Sequence, residues 1–329
     1  MTSTVHIAVD CMSGDYGSHS NLQGIIAVLQ QIDDLHLHLC GSKADIISGI
    51  PSSFIHRVTI YSTDHVILPD LKPSSALRMK EITSLHKALD LVADKTATII
   101  VSSANTGAYM ALSLRKIGLS PNIKRPAIGK MIPCLYESSI CNHTLLLDLG
   151  ANVNCTSETL VSFANIAKDY LAQTQHLMTP KVGILNIGSE AGKGTEALQE
   201  TFSVLSQRTD IDFLGFLEGD DLLCGKAHII ICDGFHGNIA LKTMEGTIKA
   251  FYNLLKNNMY HSLRSKIGAL FLGPQLKNTF GELYNPKKYN GALFMGLNSN
   301  VIKSHGSADA ESFAYAIKTA YQIAKSSDE

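Results

Sequence analysis

Short, almost unbroken aliphatic runs recur along this chain, and a segment of helical period follows most of them. The runs fall at 5–11, 35–40, 58–61, 97–102, 145–149, 182–187, 213–217 and 229–232. A strand that is apolar at every position, not at alternate ones, suits burial on both faces, as in parallel sheets. The intervening segments 21–31, 74–93, 106–116, 157–171, 195–206, 238–256 and 307–324 suit helices. This alternation predicts an α/β chain with a mostly parallel sheet. Its 329 residues allow one large domain or two smaller ones. A single catalytic domain over 1–329 is expected, since only a weak division shows near Arg125-Pro126 and no linker or repeat interrupts the pattern.

Composition narrows the function. The chain is 45% hydrophobic and 17% charged, which is globular and not disordered. Basic and acidic residues nearly cancel, at 28 and 29, so nothing points to nucleic acid. The seven cysteines are odd in number and contain no CxxC pair, as expected of reduced thiols in the cytosol. No signal peptide is evident at the start, and no apolar stretch approaches the roughly 20 residues of a membrane span.

Chemistry gathers where the strands end. The most informative stretch runs Cys232-Asp233-Gly234-Phe235-His236-Gly237-Asn238, then Ile239-Ala240-Leu241-Lys242. It leaves a buried strand, breaks on two glycines and enters a helix whose free N–H groups suit an anion. Similar polar turns stand at Asp10 to Gly17, Ser102 to Gly107, Asp148 to Asn154 and Asn186 to Glu190. Any one is ordinary turn chemistry; several at successive strand ends predict one composite site.

Other patterns weigh against familiar chemistries. Gly188-Ser189-Glu190-Ala191-Gly192-Lys193-Gly194-Thr195 has three residues, not four, before Gly-Lys, so it is not a nucleotide P-loop. It still suits an anion, with Lys193 as the charge. His36, His38 and Cys40 alternate on one strand face without a fourth ligand nearby, and no metal is expected. GxSxG is absent, and no GxGxxG follows the first strand. Lys303 and His305 share one face of a strand that ends at Gly306. An amphipathic segment with a basic side spans about 251–277, with Met259, Leu263, Ile267, Leu270 and Phe271 on its apolar stripe. It suits core or dimer packing, or a membrane surface.

Together, seven segments in order closely resemble the acyl-ACP:phosphate acyltransferase family, the PlsX phosphate acyltransferases. They are Val9-Asp10-Cys11-Met12-Ser13-Gly14-Asp15, Ser103-Ala104-Asn105-Thr106-Gly107-Ala108, Leu147-Asp148-Leu149-Gly150-Ala151-Asn152-Val153, Asp233-Gly234-Phe235-His236-Gly237-Asn238, Leu241-Lys242-Thr243-Met244-Glu245-Gly246, Tyr289-Asn290-Gly291-Ala292 and Val301-Ile302-Lys303-Ser304-His305-Gly306. The family usually carries glycine in place of Ser13 and has Ala-Gly-Asn-Thr-Gly over Ser103 to Gly107. It usually has Phe-Thr-Gly-Asn where His236 stands.

The resemblance implies a Rossmann-like three-layer α/β/α fold, similar to phosphotransacetylase and isopropylmalate-type dehydrogenase folds. It implies an enzyme that converts acyl-ACP and inorganic phosphate to acyl phosphate and free carrier for phospholipid synthesis, with no cofactor. Its partners would be acyl carrier protein, phosphate, a second copy in a homodimer, the membrane surface and a downstream glycerol-phosphate acyltransferase, in a cytoplasmic, peripherally membrane-associated protein. Lys193, Asn238 and His305 are the expected catalytic residues. Asp10, Gly14, Asp15, Asn105, Thr106, Gly107, Asp148, Asn152, Asp233, Gly237, Lys242 and Lys303 are expected to bind substrate. Lys303 or His305 is expected to protonate the departing sulfur. A phosphotransacetylase-like enzyme using acyl-CoA and a non-catalytic lipid-synthesis scaffold stand as alternatives.

Overall fold

The computed structural model describes residues 4–136, 140–259, 287 and 290–326. Among them the strands are β1 (Val5–Asp10), β2 (Leu35–Gly41), β3 (Val58–Ser62), β4 (Ile99–Ser102), β5 (Ala127–Pro133), β6 (His143–Leu147), β7 (Lys181–Leu185), β8 (Asp212–Leu217), β9 (Ile229–Ile231), β10 (Ala292–Met295) and β11 (Asn300–Lys303). The helices are α1 (Gly17–Leu29), α2 (Lys43–Gly49), α3 (Pro73–Ala76), α4 (Ser84–Ala93), α5 (Thr106–Lys116), α6 (Ser157–Gln175), α7 (Glu196–Leu205), α8 (Gly234–Met259) and α9 (Ala310–Ser326).

All these strands join one sheet, in the order β3-β2-β1-β4-β11-β10-β5-β6-β9-β7-β8. The block from β3 to β11 is parallel throughout, and so is the block from β6 to β8. Between them β10 runs antiparallel to β11 and β5, and β5 antiparallel to β6. The two parallel blocks therefore point in opposite directions. Across the seam Ile302 pairs with Leu293, Leu293 with Gly129 and Gly129 with Leu147. The carboxyl ends of β11 and β6 thus reach the same level and meet. Loops of both blocks open onto the same band of the sheet, where parallel sheets bind ligands.

Helices cover both faces, which gives the three expected layers. One core packs Ile25 of α1, Phe163 of α6 and Phe313 of α9 against Ile7, Val101, Leu147 and Ile302. The other packs Leu89 of α4, Tyr109 of α5 and Leu241 of α8 against Ile100, Leu146, Ile230 and Phe294.

The aliphatic runs became strands within a few residues of their expected bounds. The expected helix 74–93 is two helices, α3 and α4, and Thr83 caps the second by accepting from the His86 N–H. Helix α8 starts at Gly234, four residues before the expected position. Asp233 caps it by accepting the His236 N–H at 2.9 Å, so the two glycines lie inside the helix. Gly237 is needed there for close approach: a Cβ would fall 2.0 Å from the Asp148 carbonyl oxygen and 2.7 Å from the Cys232 sulfur. Gly237→Ala is expected to lower stability by about 3 kcal/mol. Gly246→Ala, on the same helix with nothing within 4 Å, should instead leave stability unchanged or raise it by up to about 1 kcal/mol. Thermal unfolding of the pair checks both, and similar shifts in the two variants would refute the crowding argument. The amphipathic stripe beyond Met259, and Tyr289, lie outside the described residues.

Candidate active site

A cavity of about 240 Å³ lies at the seam of the two sheet blocks. The N-terminal end of α5 brings Thr106, and the first turns of α8 bring Asn238 and Lys242. The end of β11 brings Lys303, Ser304 and His305, while β5 supplies Lys130. Ile128, Leu149 and Leu241 form its apolar wall. Of the residues expected from sequence, Thr106, Asn238, Lys242, Lys303 and His305 meet here.

The cavity collects positive charge. Lys130 Nζ lies 3.0 Å from Glu245 Oε1, and Lys242 Nζ 2.9 Å from Glu245 Oε2. Burial works to raise the Glu245 carboxyl, but the Lys130 and Lys242 ammoniums outweigh it and hold that carboxyl below its ordinary range. Burial pushes Lys303 down to about 8, while Asp15 and Asp10 pull it upward; its ammonium donates to the Ser304 carbonyl. His305 is exposed to solvent. Even so, the packing around its ring, then the Lys242 and Lys130 charges, push it down to about 4. It is therefore neutral near pH 7. Asn290 fixes this corner: its Oδ1 accepts the His305 N–H at 2.9 Å, and its Nδ2 donates to Ser304 Oγ and the Ser312 carbonyl, both at 2.8 Å.

Most other expected residues hold the loops that shape the cavity. Asp10 is fully buried and accepts from the Met12 and Ser13 N–H groups and, at 2.6 Å, from Ser102 Oγ. Asp15 donates its N–H to the Gly306 carbonyl at 2.8 Å, tying the first loop to the last. Gly14, between them, has φ +103°, a conformation L side chains rarely adopt, and a Cβ there would meet Ser103 Cβ at 2.9 Å. Asn105 caps α5 by accepting the Ala108 N–H at 3.1 Å, and it donates to the Pro69 carbonyl. Gly107 lies against Pro73, where a Cβ would stand 2.8 Å from Cγ. Asp148 gathers the N–H groups of Ile128, Gly150, Ala151 and Asn152, and Asn152 Nδ2 bonds both Asp148 and the Pro126 carbonyl. Asp233 also pairs with His236 Nδ1 at 2.8 Å. Lys193 stands on the exposed loop after β7 and does not line the cavity.

Lys130, Glu245 and Asn290 carry the site's polar geometry and were absent from the expected site. Lys130 sits within β5, whose apolar pattern Gly129 and Lys130 itself interrupt. Glu245 had a readable signal, since it follows Lys242 at the i,i+3 spacing of a helical ion pair. His36 and His38 pack with His6, at 5.2–5.3 Å between ring centroids. Among the described residues no group of three His, Cys, Asp or Glu side chains could hold a metal ion.

A family profile described as "Fatty acid synthesis protein" matches residues 5–327. The chain belongs to this family. A curated relative, the phosphate acyltransferase of Saccharophagus degradans, is 38% identical over 325 residues, covering 98% of this chain and 93% of its own length. The resemblance read from the seven segments is thereby borne out. A branched-chain phosphotransacylase from Enterococcus faecalis V583 superposes with a TM-score of 0.63 at 14% identity, over 97% of this chain and 99% of that one. A 4-hydroxythreonine-4-phosphate dehydrogenase from Klebsiella pneumoniae gives 0.57 at 11% identity, over 99% of each chain. At such identities these structures speak for the fold, and they bear out the expected three-layer architecture shared by transacylases and dehydrogenases.

Proposed function

We propose that this chain is a phosphate acyltransferase that moves an acyl group from acyl carrier protein to inorganic phosphate, for phospholipid synthesis. Family membership supports the reaction class. The observation that carries the reading is the single cavity in which Lys130, Lys242 and Lys303 converge beside the first turns of α5 and α8. Ammonium groups suit a phosphate, and so do the N–H groups that open α5. The expected free N–H groups of α8 are largely taken, since Gly234 donates to the Asn152 carbonyl and His236 and Gly237 donate to Asp233.

A substantial share of inorganic phosphate is already dianionic near neutral pH, so it can attack the thioester carbonyl without a strong base. An oxygen–carbon bond forms, the carbon–sulfur bond breaks, and the electron pair leaves on sulfur. In this scheme Asn238, which lines the cavity, donates to the oxyanion between these events. The departing thiolate takes a proton from Lys303, which is protonated at pH 7 and close enough to its pKa to give the proton up. His305 is neutral there and less suited to that step, but its ring serves as a hydrogen-bond partner. Lys193 stands on an exposed loop outside the cavity lining, so this scheme assigns it no step.

Attack is direct in this scheme. Burial pushes the thiols of Cys141 up to about 11 and Cys155 up to about 12, and raises those of Cys11, Cys40 and Cys232 as well. Such thiols are poor nucleophiles at neutral pH. The carrier protein as donor, the homodimer and peripheral membrane contact belong to the same proposal and rest on the family. Among the described residues no helix is long and apolar enough to cross a membrane.

The test is turnover of long-chain acyl carrier protein with and without phosphate. Acyl phosphate and free carrier thiol should appear only when phosphate is present. Faster turnover of acyl-CoA would reassign the donor. Thioester loss without phosphate would indicate a hydrolase, and no turnover of either thioester would indicate a scaffold.

A further inference from the structure

Lys130 lies outside all seven segments on which the family resemblance rests, yet it lines the cavity. Its side chain is only 9% exposed. It projects from β5 on the face that carries Ile128 and Ile132 into the second core. A cation this deep needs a counter-ion. Glu245 provides one from α8, a helix to which β5 makes no sheet bond. Its two oxygens divide the work, Oε1 taking Lys130 and Oε2 taking Lys242. An ammonium has three donors, so each lysine keeps donors for a ligand. Glu245 itself does not line the cavity. The carboxylate thus holds both ammoniums from outside the cavity lining.

We infer that Lys130 is a further anion-binding residue of this cavity, and that Glu245 is its positioning residue, holding Lys130 and Lys242 together toward a phosphate-type anion. The inference rests on the proposed phosphate site and adds the pair that organises it. A contrary arrangement is easy to state: Glu245 would be a resident anion that phosphate must displace. The two differ in sign, because removing a competitor tightens phosphate binding and removing a bracket loosens it.

The experiment uses the full chain with inorganic phosphate as the probe. Lys130→Met keeps most of the apolar stem, and Glu245→Gln keeps the side-chain shape while removing its charge. Lys130→Gln, which can still donate to Glu245, stands in should the methionine variant fail to fold. Phosphate affinity is read from the phosphate-dependent rise in the thermal unfolding midpoint, and KM for phosphate and kcat are read from acyl transfer. Both variants should bind phosphate about tenfold to a hundredfold more weakly. KM should change more than kcat, and the double variant should lose less than the two single losses combined. Tighter phosphate binding by Glu245→Gln overturns the inference. So does an unchanged phosphate response in both variants, which would mark the pair as structural only. A wild-type chain whose midpoint ignores phosphate overturns it too. If wild type responds to phosphate, the variants do not, and no acyl transfer is seen, the acyltransferase reading fails while the anion-binding assignment stands.

Discussion

Lys303→Met is expected to lower kcat for acyl transfer by about 10²–10⁴ while leaving the fold intact, since the general acid is lost and most of the stem remains. In the wild-type enzyme the protonated form does the work. Burial sets that group at about 8. The rate should therefore show an alkaline limb, falling above about pH 8 as the ammonium loses its proton. The variant should show no such alkaline limb. Asp15 is one of the carboxylates that raise Lys303, so Asp15→Asn should move the limb to lower pH. A profile of kcat from pH 6 to 10 for the three proteins checks this. An identical alkaline limb in Lys303→Met would assign the proton to another group.

Asp148→Ala is expected to cost about 4 kcal/mol or more of stability, the largest single-residue loss anticipated here. The carboxylate is 0% exposed. It accepts from four backbone N–H groups, those of Ile128, Gly150, Ala151 and Asn152, at 2.7–3.2 Å, and from Asn152 Nδ2 at 2.9 Å. Alanine strands those donors in a dry loop, each at a cost of about 1–3 kcal/mol, partly recovered by relaxation. Ile128 belongs to β5 and Gly150 follows β6, so the damage falls on the seam under the cavity. Chemical denaturation of wild type, Asp148→Asn and Asp148→Ala should rank them in that order of falling stability. A loss below about 1 kcal/mol for alanine would mean that water replaces the carboxylate.

What sequence conveyed depended on how each feature is encoded. Strands buried on both faces announce themselves, as 97–102 and 229–232 did, because nearly every side chain is apolar. The seam strands do not. Gly129 and Lys130 interrupt β5, and β10 is four residues long beside Gly291. Each has a neighbour close by in the chain, β11 for β10 and β6 for β5, but the pairing that closes the seam joins β5 to β10, Gly129 to Leu293, from far apart in sequence. The direction of the second block went unread with them. Residues at strand ends were legible by position, so Thr106, Asn238, Lys242, Lys303 and His305 could be named. Whether such a residue touches ligand or braces a loop was not legible, and Asp148 and Asn152 are seen bracing. Lys130 was unreadable for a simpler reason: the face a strand residue points to is known only once the strand is known.

The seam also sets an order of events in protein synthesis. Strand β11 is the last strand made, yet it lies between β4, made about two hundred residues earlier, and β10. A nascent chain can finish β1 to β4 and β6 to β9 as separate half-sheets while Lys303 is still missing. Lys303 cannot join Lys130 and Lys242 until residues 300–303 slide into the middle. A ribosome-bound or prematurely ended chain would therefore be an inactive pair of halves and not a weakened enzyme, and activity would arrive with the final strand.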